Sequence, residues 1–409
     1  MVRELERERQ IDNFPKTAPA ANPVFFRTYS RRTEEGRETW EQVCDRTIGG
    51  LAKLGKLTSE ETALLNRMML QIKSLPSGRW LWVGGTQWIE KQENFSGAYN
   101  CTSTNAVDWR AFGLMMDLAM MGCGTGAVLE PHYINQLPTI CNHLDVTVKS
   151  NIGSTSASDR RQQTEVKIEG DCAYIYVGDS RQGWVKSYQT LLELSSDEQF
   201  SGNVRVVIDL SDVRPAGEPL KGFGGVANPV KLPELYQRCS SILNKAVGRK
   251  LNSVECCLLI DEAAVTIVAG NIRRSAGIRQ FDSNDELGAN AKTNLWQQDE
   301  NGNWRIDPER DALRMANHSR VFHHKPTLEE CVNAVRQQYY SGEGAIQWAG
   351  EAIARANCDL LSTQELRKDF LNSYEQGTAK QWLQERYPTL DSYEIEHRLA
   401  RVGLNPCGK

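Results

Sequence analysis

Residues able to do chemistry in this 409-residue sequence are cysteines and arginines set among glycine and proline. The sharpest case is Asn405-Pro406-Cys407-Gly408-Lys409. Proline fixes φ, glycine permits unusual backbone angles, and the thiol between them is held on a rigid turn. Such a turn can present a side chain into a cavity, and an ordinary turn cysteine looks the same. Cys101, in Tyr99-Asn100-Cys101-Thr102-Ser103-Thr104, falls at or near the end of a β-compatible stretch. Arginines supply forks that match phosphate oxygens. Arg79 follows Pro76-Ser77-Gly78, Arg160 and Arg161 lie in a Ser/Gly/Asp-rich loop, and Arg273-Arg274-Ser275 follows a helix end. Each of these also reads as a solvated loop charge. Of six histidines only His323-His324 are close in sequence. Adjacent residues rarely face one ion, so no protein-held metal site is expected.

The elements that must position these groups follow from periodicity and punctuation. Residues 1–30, with Pro15, Pro19 and Pro23, read as an extended lead-in, and 31–50 as helical. Thr58 and Glu61 form a capping box for a helix with Leu64, Leu65, Met68, Met69 and Ile72 on one face. Pro76 to Thr86 reads as a turn, a short strand and a glycine turn. An apolar helix over 111–121 runs into Gly122-Cys123-Gly124-Thr125-Gly126. That order is not the strand–loop–helix of a dinucleotide or P-loop fingerprint. The loop 149–163 reads as flexible, and strands are expected near 146–148, 172–177 and 204–210. Helices follow at 184–194, 232–246 and 253–269, the last closed by Gly270. A hairpin is expected over 294–306 around Asn301-Gly302, and a helix from Thr327 to about Tyr340. The chain is thus α/β, with a mainly helical region over 1–95 and an α/β body over 96–409.

Composition narrows the class. A 40% hydrophobic and 24% charged chain is ordinary globular protein. A net charge of −4 gives no general pull toward nucleic acid or anionic membrane. No apolar run is long enough to span a bilayer, and Met1 to Gln10 is charged, without the apolar core of a signal peptide. A cytoplasmic setting is expected. Eleven cysteines, without CxxC pairs and with Cys256-Cys257 vicinal, suit mostly free thiols in a reducing compartment.

Six segments in order resemble the adenosylcobalamin-dependent (class II) ribonucleotide reductases, particularly the monomeric triphosphate-reducing type. They are Leu75-Pro76-Ser77-Gly78-Arg79 with Trp82–Thr86; Asn100-Cys101; Gly178-Asp179-Ser180-Arg181 with Gly183-Trp184; Asp212-Val213-Arg214-Pro215 with Gly222-Phe223-Gly224-Gly225; Ala269-Gly270-Asn271-Ile272-Arg273-Arg274-Ser275-Ala276; and Asn405-Pro406-Cys407-Gly408. The resemblance covers residue 60 onward. It implies a ten-stranded α/β barrel of two five-stranded halves, with a finger loop inside. By motif match Cys407 is the thiyl radical site and Asn405 bonds a substrate hydroxyl. Cys101 is one of two cysteines that deliver electrons and become a disulfide. Ser77, Arg79, Arg160, Arg161, Arg273, Arg274 and Ser275 are implied in substrate or effector binding. The implied cofactor is adenosylcobalamin, with Mg2+ accompanying the nucleotide. The implied partners are a ribonucleoside triphosphate, a dNTP or ATP effector and thioredoxin or a similar dithiol, around a monomer serving DNA synthesis.

Two departures accompany the resemblance. The family pattern continues Asn-Pro-Cys-Gly-Glu, whereas Lys409 stands at the glutamate position. The partner of Cys101, the remaining strands and the cysteines that meet thioredoxin have no counterpart. The expectation is therefore an interrupted catalytic subunit, inactive alone and needing a C-terminal half. Two other readings stay open: a non-catalytic nucleotide-binding fragment, and an iron-dependent reductase large subunit. A glycyl-radical enzyme fits less well, for that kind lacks the Arg-Arg loop.

Overall fold

The structure, a computed structural model, describes residues 14–34, 36–149, 151–219, 227–269 and 276–406. Cys407 and Arg273-Arg274-Ser275 therefore lie outside the described residues, as do Gly270 and the segment 220–226. The chain divides into two compact units at Asn100/Cys101.

The first unit is mainly helical. A small hairpin, β1 (Arg32–Thr33) and β2 (Gly36–Arg37), precedes the helix Trp40–Gly55. The Thr58 hydroxyl accepts from the Glu61 amide, and the Glu61 carboxylate accepts from the Thr58 amide at 2.8 Å. The helix Ser59–Leu70 starts there as the sequence indicates. Of its expected apolar face only Met69 is fully buried, and Leu64 stays exposed. A helix at Ala21–Thr28 replaces part of the extended lead-in. Pro76 to Thr86 holds no strand. Ser77 caps a short helix, Gly78–Val83, because Trp80, Leu81 and Val83 all find burial on that path.

The second unit is α/β and holds two sheets. Its strands are β3 (Cys101–Asn105), β4 (Gly124–Val128), β5 (His143–Lys149), β6 (Glu165–Glu169), β7 (Cys172–Tyr176), β8 (Asn203–Asp209) and β9 (Gly277–Asp282). They continue with the hairpin β10 (Trp296–Gln298) and β11 (Trp304–Ile306), then β12 (Asn317–Phe322) and β13 (Ala345–Trp348). The main sheet is all parallel, in the order β13-β12-β9-β4-β3. A second sheet, β5-β8-β7-β6, is parallel except for the β6–β7 hairpin. Helices Trp109–Met120 and Leu328–Ser341 are the crossovers that parallel neighbours need.

Most of the glycine-rich Gly122–Gly126 segment, to which the sequence assigned no element, is the fully buried strand β4. Ala127 joins a core built from helices Trp109–Met120, Arg181–Leu194, Leu232–Asn244 and Ser253–Ala269. Val128, its neighbour, joins a second core with Val321, Ile353, Phe370, Leu383, Ile395 and Val402. Adjacent residues on one strand entering different cores is the mark of a parallel sheet covered on both faces. The second core is made by short helices between Ala349 and Leu399, which deliver the chain to residues 400–406.

Candidate active site

Parallel pairing sets Cys101 beside Gly124, Ser103 beside Gly126 and Asn105 beside Val128, with Val128 beside Gln280 in turn. Alternation puts Cys101, Ser103, Asn105, Gly124, Gly126 and Gln280 on one face. Residues 400–406 lie across that face. Asn105 donates to the Ala400 carbonyl at 3.2 Å, and Gln347 to the Val402 carbonyl at 2.6 Å. Gln280 grips Leu404 twice, accepting from its amide at 2.6 Å and donating to its carbonyl at 3.1 Å. A backbone held by both its amide and carbonyl against a buried side chain cannot slide without leaving polar groups unpaired.

The glycines of β4 make this approach possible. A Cβ on Gly126 would stand 2.3 Å from the Leu404 carbonyl oxygen. One on Gly124 would stand 3.2 Å from both the Cys101 sulfur and the Pro406 ring. The segment thus lies in a channel cleared of side chains, and it brings Asn405-Pro406 to the end of β3 where Cys101 sits half-buried. Cys101 is disulfide-bonded.

The opposite face is tied down by charge. Arg279 and Asp261, both with no exposed side-chain surface, meet at 2.7 Å. Arg279 also donates to the Thr125 carbonyl at 2.8 Å, one residue before Gly126. Asp261 takes a further bond from the Cys257 thiol, which stands 3.7 Å from His318. Burial pushes the Cys257 thiol up and His318 well down, so both are neutral in this layer. The helix carrying Asp261 leads straight into residues 270–275, and β9 carrying Arg279 and Gln280 follows them.

The other residues singled out from the sequence fall elsewhere. Ser77 caps its helix, and Arg79 donates to Asn100 at 3.0 Å and to the Gly97 carbonyl, all within the first unit. Arg160 is buried and bidentate on Glu218 at 2.7 and 2.8 Å, with a third bond to the Thr155 carbonyl. Its hydrogen bonds hold the Glu218 carboxyl below its ordinary value. Arg161 pairs with Asp212 at 2.7 Å and lies over the Tyr176 ring. The loop expected to be flexible is pinned by these pairs, and a phosphate there would have to displace Glu218 or Asp212.

Among the remaining cysteines, Cys239, Cys256 and Cys257 are fully enclosed and their thiols are pushed up by burial, while Cys358 is exposed. Thiolate is the reactive form. In the native protein at pH 8, iodoacetamide is expected to label Cys358 first and those three only on unfolding. Peptide mass spectrometry over a time course reads this directly, and early labelling at Cys256 or Cys257 would contradict the packing.

Gln280, Gln347, Gly124, Gly126, Arg279 and Asp261 were not singled out from the sequence. Only the Gly-x-Gly spacing carried a signal, since a period of two strips one face of a strand.

Comparison with known proteins bears on the same regions. Residues 142–243, which include the second sheet, match the family model for the insertion domain of B12-dependent ribonucleotide reductase. The chain is 28% identical over 309 residues to the adenosylcobalamin-dependent ribonucleoside-triphosphate reductase of Levilactobacillus brevis, covering 64% of this chain and 41% of that one. The protein of the same description from Lactobacillus gasseri is 25% identical over 436 residues, covering 94% and 52%. A crystal structure of B12-dependent (class II) ribonucleotide reductase superposes with a TM-score of 0.58 at 20% identity, over 73% of this chain and 45% of that one. The chain spans about half the length of the curated relatives it matches. No helix among the described residues is long and apolar enough to cross a membrane. The insertion-domain match, the relatives and the shared fold all point one way, to similarity with the B12-dependent, class II ribonucleotide reductases.

Proposed function

We propose that this chain serves the reduction of ribonucleoside triphosphates to 2′-deoxyribonucleoside triphosphates, with Cys407 as the radical-bearing thiol. The observation that carries the reading is the terminal segment locked across the glycine-cleared face beside Cys101. The chemistry of the residues fits adenosylcobalamin, because a radical-generating cofactor needs a weak bond to hydrogen as its acceptor and a thiol supplies one. When bound, the cofactor supplies homolysis of its cobalt–carbon bond. The chain's own residues do the rest. Cys407, one peptide beyond Pro406, takes the 3′-hydrogen of the ribose and returns it. Asn405 holds a ribose hydroxyl. Cys101 is one of two thiols whose oxidation to a disulfide supplies two electrons as the 2′-oxygen leaves as water. The pinned backbone keeps the radical thiol from wandering to quenching partners, which is what positioning contributes here. Arg273 and Arg274 are proposed to join effector to substrate base, with Ser275 beside them, and Ser77, Arg79, Arg160 and Arg161 to serve phosphate. Thioredoxin or a similar dithiol restores the cysteines, Mg2+ travels with the nucleotide, and the chain acts as a monomer together with a C-terminal half.

Two readouts test this together. Deoxynucleoside triphosphate is expected to raise the unfolding temperature, by linkage worth about 2.7 kcal/mol at a hundredfold excess over Kd. Any 2′-deoxy product formed with adenosylcobalamin and dithiothreitol is expected to vanish in Cys407→Ala. Product that persists in that variant, or a melting curve indifferent to nucleotide, overturns the reading.

A further inference from the structure

In parallel α/β sheets ligands gather at the carboxyl ends of strands, and one cluster there has no part in the chemistry above. Glu130 follows β4, Asp282 ends β9 and His323 follows β12. Their ligand atoms lie within 4.8 Å of one another. His323 Nε2 is 2.8 Å from Glu130 Oε1, and Nδ1 is 3.0 Å from the Tyr374 hydroxyl.

The Glu130 side chain is only 3% exposed. One of its oxygens, Oε1, faces His323. A carboxylate this deeply buried, with an imidazole and a second carboxylate beside it, favours a cation among them. Beside it opens a groove of about 420 Å³ lined by Pro131, Asp282, Asn284, Asp285, Glu286 and Leu287. Three carboxylates on that wall favour a cation over any anion, and the groove gives it a way in.

We propose that Glu130, Asp282 and His323 bind one divalent transition ion of the Mn2+ class. One imidazole and two carboxylates are a borderline-hard donor set with positions left for water. Metal-bound histidines orient themselves through the other ring nitrogen. Without an ion Nε2–H donates to the Glu130 carboxylate; an ion would take the place of that proton, while the Tyr374 hydroxyl at Nδ1 holds the ring in place. The sequence argued against a metal because His323 and His324 are adjacent. Their partners differ: His324 turns to Glu330 at 2.9 Å, and His323 alone enters the cluster.

The test titrates Mn2+ into tag-free chain and reads free ion by electron paramagnetic resonance. Mn2+ is chosen because the cysteines compete poorly for it. One ion per chain is expected. Affinity is expected to fall about tenfold or more in His323→Ala and Asp282→Asn, and to hold in His324→Ala. His323 is half-exposed, so its variant keeps the fold, which circular dichroism checks. No stoichiometric binding to the wild-type chain overturns the proposal. So does binding that His323→Ala leaves unchanged.

Discussion

Arg279→Met is expected to lower the unfolding free energy by about 3–5 kcal/mol, the usual cost of stranding one member of a buried ion pair. Both partners are fully enclosed, so Asp261 would keep a charge with no water to answer it. Two carbonyls, of Thr125 and Ile278, would lose their donor as well. The double variant Arg279→Met with Asp261→Leu is expected to recover much of the loss, because a well-packed apolar pair removes the stranded charge. Urea unfolding of the four proteins closes the cycle. A single variant within 1 kcal/mol of wild type would contradict the role given to the pair. The sheet's helix-facing side matters to function because the same guanidinium fixes the strand that carries Gly126.

Gly126→Ala acts on the other side of that strand with one carbon atom. Its Cβ meets a backbone carbonyl at 2.3 Å and the Thr102 carbonyl at 3.0 Å, and neither is the movable tip of a side chain. Overpacking of this sort costs about 1–3 kcal/mol. The chain can avoid that cost by letting residues 402–406 leave the sheet. The expected result is faster tryptic cleavage after Arg401 with little change in global unfolding. Gly49→Ala, where nothing lies within 4 Å of the new carbon, is the control: it is expected to leave cleavage after Arg401 unchanged and to raise stability by about 0.5–1 kcal/mol, since alanine replaces a mid-helix glycine.

What the sequence disclosed was local. The Thr58–Glu61 and Thr327–Glu330 boxes start helices where the sequence places them, because a cap is decided by four neighbouring residues. Helix Ser253–Ala269 likewise begins where the sequence places it, with Asn252 and Glu255 bonding each other's amides. Asn405, Pro406 and the glycine alone left the terminal turn open between chemistry and an ordinary turn, and the assignment of Cys407 came from the resemblance. What stayed hidden depends on partners far along the chain. Gln280 and Leu404 are 124 residues apart, and Glu130 and His323 are 193 apart. Arg279 and Gln280 alternate in β9, to which the sequence assigned no strand, and both are buried because both faces of this sheet are covered. Gly124 and Gly126 gave no strand signal because glycine is depleted in strands. Here its value is the missing side chain, not the backbone freedom. Arg160 read as a loop charge because its partner Glu218 lies 58 residues on.

The proposed chemistry requires Cys407 to come within reach of Cys101, and one measurement addresses that directly. The reduced chain is oxidised briefly with diamide, digested, and its disulfide-linked peptides quantified by mass spectrometry. A Cys101–Cys407 link is expected to dominate over every other pairing, and to drop about tenfold in Gly126→Ala. Cys101 left free, or joined mainly to Cys358 or Cys331, would mean that the segment does not rest on this sheet in solution, and the proposed radical site would lose its foundation.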